Sequence, residues 1–79
     1  MIIVYTGDKT YIKKNADSAK DVIYEVYGEK IGQKAYETIS DNLPGTVFRY
    51  AGGPRIDVVT EEQAEIIEAK EREIGALVE

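Results

Sequence analysis

The stretch Arg49-Tyr50-Ala51-Gly52-Gly53-Pro54-Arg55 sets two glycines and a proline between two arginines, a combination that could cradle a phosphate. A phosphate loop runs from a strand straight into a helix N-terminus, where backbone N–H groups and the helix dipole meet the anion. Here the β-rich run Arg55-Ile56-Asp57-Val58-Val59 follows at once. The stretch is expected to be a hairpin loop with an arginine on each strand.

The glutamates offer a second chemistry. Glu61, Glu65 and Glu68 share one face of a helix, but a hard divalent ion gathers oxygens from several elements, and one helix supplies too few. Glu68-Ala69-Lys70 has the acid-x-lysine spacing of metal-dependent nucleases. That element works from a strand beside a preceding aspartate, whereas here it falls in mid-helix. No metal or cofactor is expected. The chain has no histidine and no cysteine, which removes zinc sites, thiolate chemistry and the serine and cysteine triads. Carboxylate or lysine chemistry remains, and a chain of 79 residues has little room for the enclosed pocket it needs. A non-catalytic role is expected.

The elements that would position these residues follow from pattern. Ile2 to Tyr5, the turn residues Thr6-Gly7-Asp8-Lys9, and Thr10-Tyr11-Ile12-Lys13-Lys14 read as a β-hairpin. A helix follows, capped by Asp17 or Ser18, with Val22, Ile23, Val26 and Tyr27 on its apolar face. Gly28 and Gly32 interrupt it, which predicts a kink or two short helices. Pro44-Gly45 suits the centre of a type II turn. Thr46 to Ala51 and Arg55 to Val59 form the second hairpin. Thr60 with Gln63 is a capping box that starts the last helix, with Ile66, Ile67, Ile74, Leu77 and Val78 on one arc.

The order ββαββα suggests a single α+β domain over residues 1–79: a two-layer sandwich of a four-stranded antiparallel sheet with both helices on one face. A faint ββα pseudo-repeat, 1–45 against 46–79, matches Tyr5 and Gly7 with Tyr50 and Gly52, Ala19 with Ala64, and Val22 with Ile67. Met-Ile-Ile-Val-Tyr is too short for a signal-peptide core, so a cytoplasmic chain without a membrane segment is expected.

Two binding surfaces result. Period-two alternation with Ile2, Val4, Ile12, Phe48, Tyr50, Ile56 and Val58 toward the helices sends Ile3, Tyr5, Tyr11, Lys13, Val47, Arg49, Arg55 and Val59 to an uncovered face. Tyr5, Tyr11, Lys13, Arg49 and Arg55 would give that face the composition of an interaction surface. Charge marks the second. Residues 1–60 hold eight acidic and eight basic side chains, while 61–79 hold seven glutamates against Lys70 and Arg72, so the whole net charge of −5 lies in the last quarter. Glu61, Glu62, Glu65 and Glu68 would make an acidic ridge that docks on a basic surface.

No motif is specific enough to carry a family. The expected function is a non-catalytic, acidic protein-binding module, an inhibitor or regulator of a partner with a basic nucleic-acid-binding surface, with phage anti-restriction or anti-CRISPR proteins as a candidate subclass. A small nucleic-acid-binding domain using the Tyr/Arg face is the alternative, and the acidic balance weighs against it. An accessory subunit of an enzyme is the third reading, and a homodimer is compatible with all of them.

Overall fold

The structure, a computed structural model, describes residues 1–79. The chain runs β1 (Ile2–Tyr5), β2 (Thr10–Lys13), α1 (Ala16–Ile39), β3 (Val47–Arg49), β4 (Arg55–Val58), α2 (Glu61–Glu73) and β5 (Leu77–Val78). The strands form one five-stranded sheet in the order β3-β4-β1-β2-β5. Four strands are antiparallel, as the two hairpins require, and β5 adds in parallel to β2. The fold is thus α+β with a mixed sheet. The fifth strand escapes the pattern because Leu77 and Val78 also fit the end of a helical apolar arc. Gly75, at φ 78, ends that helix.

The expectation of both helices on one face is corrected. Ile2, Val4, Ile56 and Val58 pack with Ala16, Ala19, Ile23, Ala35 and Ile39 of α1 in one buried cluster. Ile3 points to the other face of the sheet and is also 0% exposed. It lies outside that cluster, and α2 is the only helix left to cover it. The inner side of α2 is the stripe Ala64, Ile67, Glu68 and Glu71, a spacing of three and four residues that puts them on one helix face. Helix α2 therefore covers the second face, in contact with β2 and β5 and burying Ile3 of β1 on that face. The expected apolar arc is rotated: Ile66 is 72% exposed and Ile74 65%.

Helix α1 is a reversal rather than a rod. Gly28 sits at φ 83, ψ 172 inside it, a backbone region that only glycine occupies without strain. The halves 16–27 and 29–39 fold back on each other. The Tyr36 hydroxyl donates to Asp17, and the Ala16 N–H donates to Asn42 Oδ1 at 2.9 Å. In a straight helix, residues 17 and 36 would stand about 28 Å apart. At Gly32 the halves approach so closely that a Cβ would lie 3.2 Å from Tyr24 Cα. The N-cap is Asn15, with Ser18 as its reciprocal partner, so Ser18 serves the cap from the third helical position. Thr60 and Gln63 form the capping box of α2. Element starts recur at an interval of 45 residues, 2 and 47, 10 and 55, 16 and 61, yet the two helices use opposite faces.

No helix of the protein is long and apolar enough to cross a membrane.

Two substitutions test this architecture. Ile3→Ala should cost about 2–5 kcal/mol in urea denaturation, as a buried isoleucine does, whereas an isoleucine on a bare sheet face would cost under about 0.5 kcal/mol. Gly28→Ala should cost about 1–3 kcal/mol through backbone strain, since nothing lies within 4 Å of the added Cβ.

Candidate functional site

Helix α2 leaves one corner of its sheet face open, at β3 and the adjoining ends of β4 and β1. The corner is built by register. Arg49 lies directly opposite Arg55, and Arg55 directly opposite Tyr5, so all three side chains rise from the same face in one row. With Gly7 of the β1–β2 turn and Gly52 and Gly53 of the β3–β4 turn they line a cleft of about 550 Å³.

The β3–β4 turn is tight because its sequence allows it. Ala51 and Gly52 both take positive φ, 46 and 70, and the Gly53 N–H donates to the Tyr50 carbonyl at 2.8 Å. That is the type I′ geometry, whose twist matches a hairpin. The glycine-rich segment is a hairpin loop, as its β-rich flanks imply. It nonetheless lines a cleft with both arginines.

The two arginines differ in their surroundings. Arg55 is held on two sides: Nε lies 3.0 Å from Asp57 Oδ1, and the guanidinium carbon lies 4.7 Å from the Tyr5 ring centroid. The Nε–H does not point along the line to Oδ1, so this contact is an ion pair rather than a linear hydrogen bond. Arg49 is exposed and pairs with no acid. Two like charges directly opposite each other on antiparallel strands are unfavourable, and only Arg55 is compensated. Burial, with Asp57 adding to it, raises the Tyr5 phenol above its ordinary value, while Arg55 opposes the shift. Tyr5 is therefore a neutral hydrogen-bonding group at neutral pH.

From the other side of the sheet α1 fixes the loop. The Tyr27 hydroxyl donates to the Pro54 carbonyl at 2.6 Å, and its ring meets Phe48 edge-on at 5.4 Å. Desolvation pushes the Tyr27 phenol up to about 12.

Of the sheet-face residues named from sequence, Tyr5, Arg49 and Arg55 come together. Tyr11 and Lys13 do not. The hairpin register pairs Val4 with Tyr11 and Ile2 with Lys13, which turns both toward α1 and sends Ile12 to the face of Ile3. Tyr11 packs against the α1 core. Tyr50, assigned to the helix side, stands in the turn and is 50% exposed. Tyr11 and Lys13 line a second cleft of about 370 Å³ at the β5 edge, which Glu68 and Arg72 also reach. On α2, Glu61, Glu62 and Glu65 are exposed, while Glu68 is drawn aside to Arg72 at 2.8 Å. Arg72 in turn binds Glu79 at 2.8 Å.

Asp57 and Tyr27 support the site, Asp57 within the row and Tyr27 from the α1 side, and the sequence reading assigned neither to it, giving Tyr27 only a place on the apolar face of the helix. The spacing Arg55-x-Asp57 puts both on one face of a strand, so Asp57 was legible. Nothing in the sequence pairs Tyr27 with Pro54.

The chain matches no family model, no curated protein and no solved structure.

The Tyr27 contact predicts an alkaline effect. A phenol whose value rises from 10 to about 12 on folding favours the fold fully below pH 10, and that contribution is lost as pH rises through about 12. Stability should fall over that window, and Tyr27→Phe should remove part of the slope, leaving the share of Tyr5 and Tyr36, whose values are also raised. At neutral pH the same change should cost about 1 kcal/mol for the lost hydrogen bond. Urea melts of both proteins across this range measure both effects.

Proposed function

We propose that this protein is a non-catalytic binding module that docks another protein on the open corner of its sheet. The observation that carries this reading is the composition of the one corner no helix covers. Val47, on the same sheet face as Arg49, is 48% exposed, and Tyr50 at the turn is 50% exposed, next to Arg49 and the Tyr5–Arg55 stack. Aromatic side chains and arginine dominate the energetics of protein interfaces, and Val47 adds an exposed aliphatic side chain beside them. Nucleic acid fits this corner less well. Tyr11 and Lys13 are turned away from it, one face of Tyr5 is taken by Arg55, and a chain of net charge −5 repels a polyanion.

A second reading rests on α2. Glu61, Glu62 and Glu65 are exposed, and Ile66 stands among them with 72% of its surface in solvent. An acidic ridge with an apolar anchor suits a basic surface, and in that reading the module blocks a nucleic-acid-binding partner.

Partner capture from the native host, identification by mass spectrometry and calorimetry on folded variants would separate the two. In the first reading Arg49→Ala and Tyr50→Ala each weaken binding by more than about 1 kcal/mol. Joint change of Glu61, Glu65 and Glu68 to Gln then alters only association rate and its salt dependence. The reverse pattern would overturn the corner and establish α2 as the contact.

A further inference from the structure

The open corner ends in a strand edge whose chemistry is set by register. The Val58 N–H donates to the Thr46 carbonyl and the Val58 carbonyl accepts from the Gly45 N–H, both at 2.9 Å, so across this bulge Val58 turns its backbone groups toward β3. In an antiparallel ladder hydrogen-bonded and non-hydrogen-bonded pairs alternate. Phe48 with Ile56 is then a bonded pair, and Val47 with Asp57 and Arg49 with Arg55 are the unbonded ones. Two consequences follow. Side chains of an unbonded pair stand closer together, which sharpens the repulsion between Arg49 and Arg55. The backbone N–H and C=O groups of Val47 and Arg49 point away from β4, toward the free edge, and donate to or accept from nothing in the protein.

We propose that β3 accepts an extended antiparallel segment of a partner protein with the pattern acidic-x-apolar, its acidic residue opposite Arg49 and its apolar residue opposite Val47. This inference rests on the open-corner reading and deepens it by naming the partner's chemistry. An added strand would satisfy the free backbone groups of Val47 and Arg49. Its carboxylate would stand in the row that already holds Arg49, Arg55 and Tyr5. There it compensates the one arginine of the cleft that has no acid, and the neighbouring Arg55 is already held in place by Asp57 and the Tyr5 ring. Two residues on, an apolar side chain covers the exposed Val47. A second copy of the chain is the poorer occupant. Two β3 strands paired with each other would bring together only Val47, Phe48 and Arg49, with no acid among them, and each copy carries a net charge of −5.

The test uses the intact protein and blocked peptides of alternating sequence, Thr-Glu-Thr-Val-Thr and its Glu→Gln counterpart, in two-dimensional amide NMR at physiological salt. The Glu peptide should shift the Val47, Phe48 and Arg49 amides saturably and bind at least fivefold tighter than the Gln peptide. Arg49→Gln should bring the two peptides to equal affinity while the protein's spectrum stays folded. If both peptides bind at β3 equally well, the acidic preference is wrong and edge docking stands. If neither shifts β3 at millimolar concentration, while the captured partner still loses affinity on Tyr50→Ala, strand addition is wrong and corner docking stands. Loss of both signals overturns the docking reading itself. A dimer in sedimentation that disappears on Val47→Lys would show the edge to be taken by a second copy and would overturn the proposal.

Discussion

The structure turns on β1. It is the middle strand of the five, antiparallel to both its neighbours, and Ile2, Ile3 and Val4 are all fully removed from solvent. Alternation sends Ile2 and Val4 to one face and Ile3 to the other, so a central strand with three consecutive buried aliphatics requires a layer on both faces. Each such side chain contributes about 1.5–3 kcal/mol when fully buried. In a domain this small, forgoing Ile3 would remove a sizeable part of a net stability of about 5–15 kcal/mol. Placing α1 on one side and α2 on the other is how the chain meets that demand.

That demand was readable in the unbroken run Ile2-Ile3-Val4, since a continuous apolar strand marks burial on both faces. The first four strands and their pairing into two hairpins, the Thr60–Gln63 capping box, the break at Gly28 and the two hairpin turns are local features, and the sequence pattern reports them; the pattern placed the cap of α1 at Asp17 or Ser18 rather than at Asn15, and it left the order of the strands open. What pattern did not report was phase. Tyr11 and Ile12 are adjacent and both apolar, so β2 satisfies alternation in either phase, and only the length of the turn, which pairs Tyr5 with Thr10, decides. The error moved Tyr11 and Lys13 into the candidate site. For α2 the ambiguity was of the same kind: Ile66 and Ile67 are neighbours on the helix, and the face that meets the sheet is the one carrying Ala64. Contacts between distant segments, such as Tyr27 with Pro54, leave no local trace.

The site and the scaffold make opposite demands at one row of the sheet. Scaffold stability favours opposite or neutral charges across β3 and β4, and the chain has arginine on both. The cost is confined by giving Arg55 its own acid and a ring to lie on. Arg49 is left as an uncompensated charge on the outermost strand, in a protein whose acidic excess is gathered on α2 and the residues after it. Local rules are most often broken where a protein meets something else, and this is the position in the sheet where one is broken.

The reversal at Gly28 also divides the molecule in time. Closure of 16–27 on 29–39 joins residues about twenty to thirty apart, Asp17 with Tyr36 and Ala16 with Asn42, and such loops close at modest entropic cost. The β1–β4 ladder, by contrast, pairs Ile2 with Val58 and Tyr5 with Arg55, and only the short β2–β5 pairing, Thr10 with Leu77, joins residues further apart in the chain. Because non-local pairings slow folding, the helical hairpin is the part that can organise early, whereas the joining of β1 to β4 and of β2 to β5 belongs to the slower assembly of the sheet. The row of Tyr5, Arg55 and Arg49 is completed only with the β1–β4 ladder, so the corner proposed for docking depends on the long-range fold and cannot be presented by the β3–β4 hairpin alone.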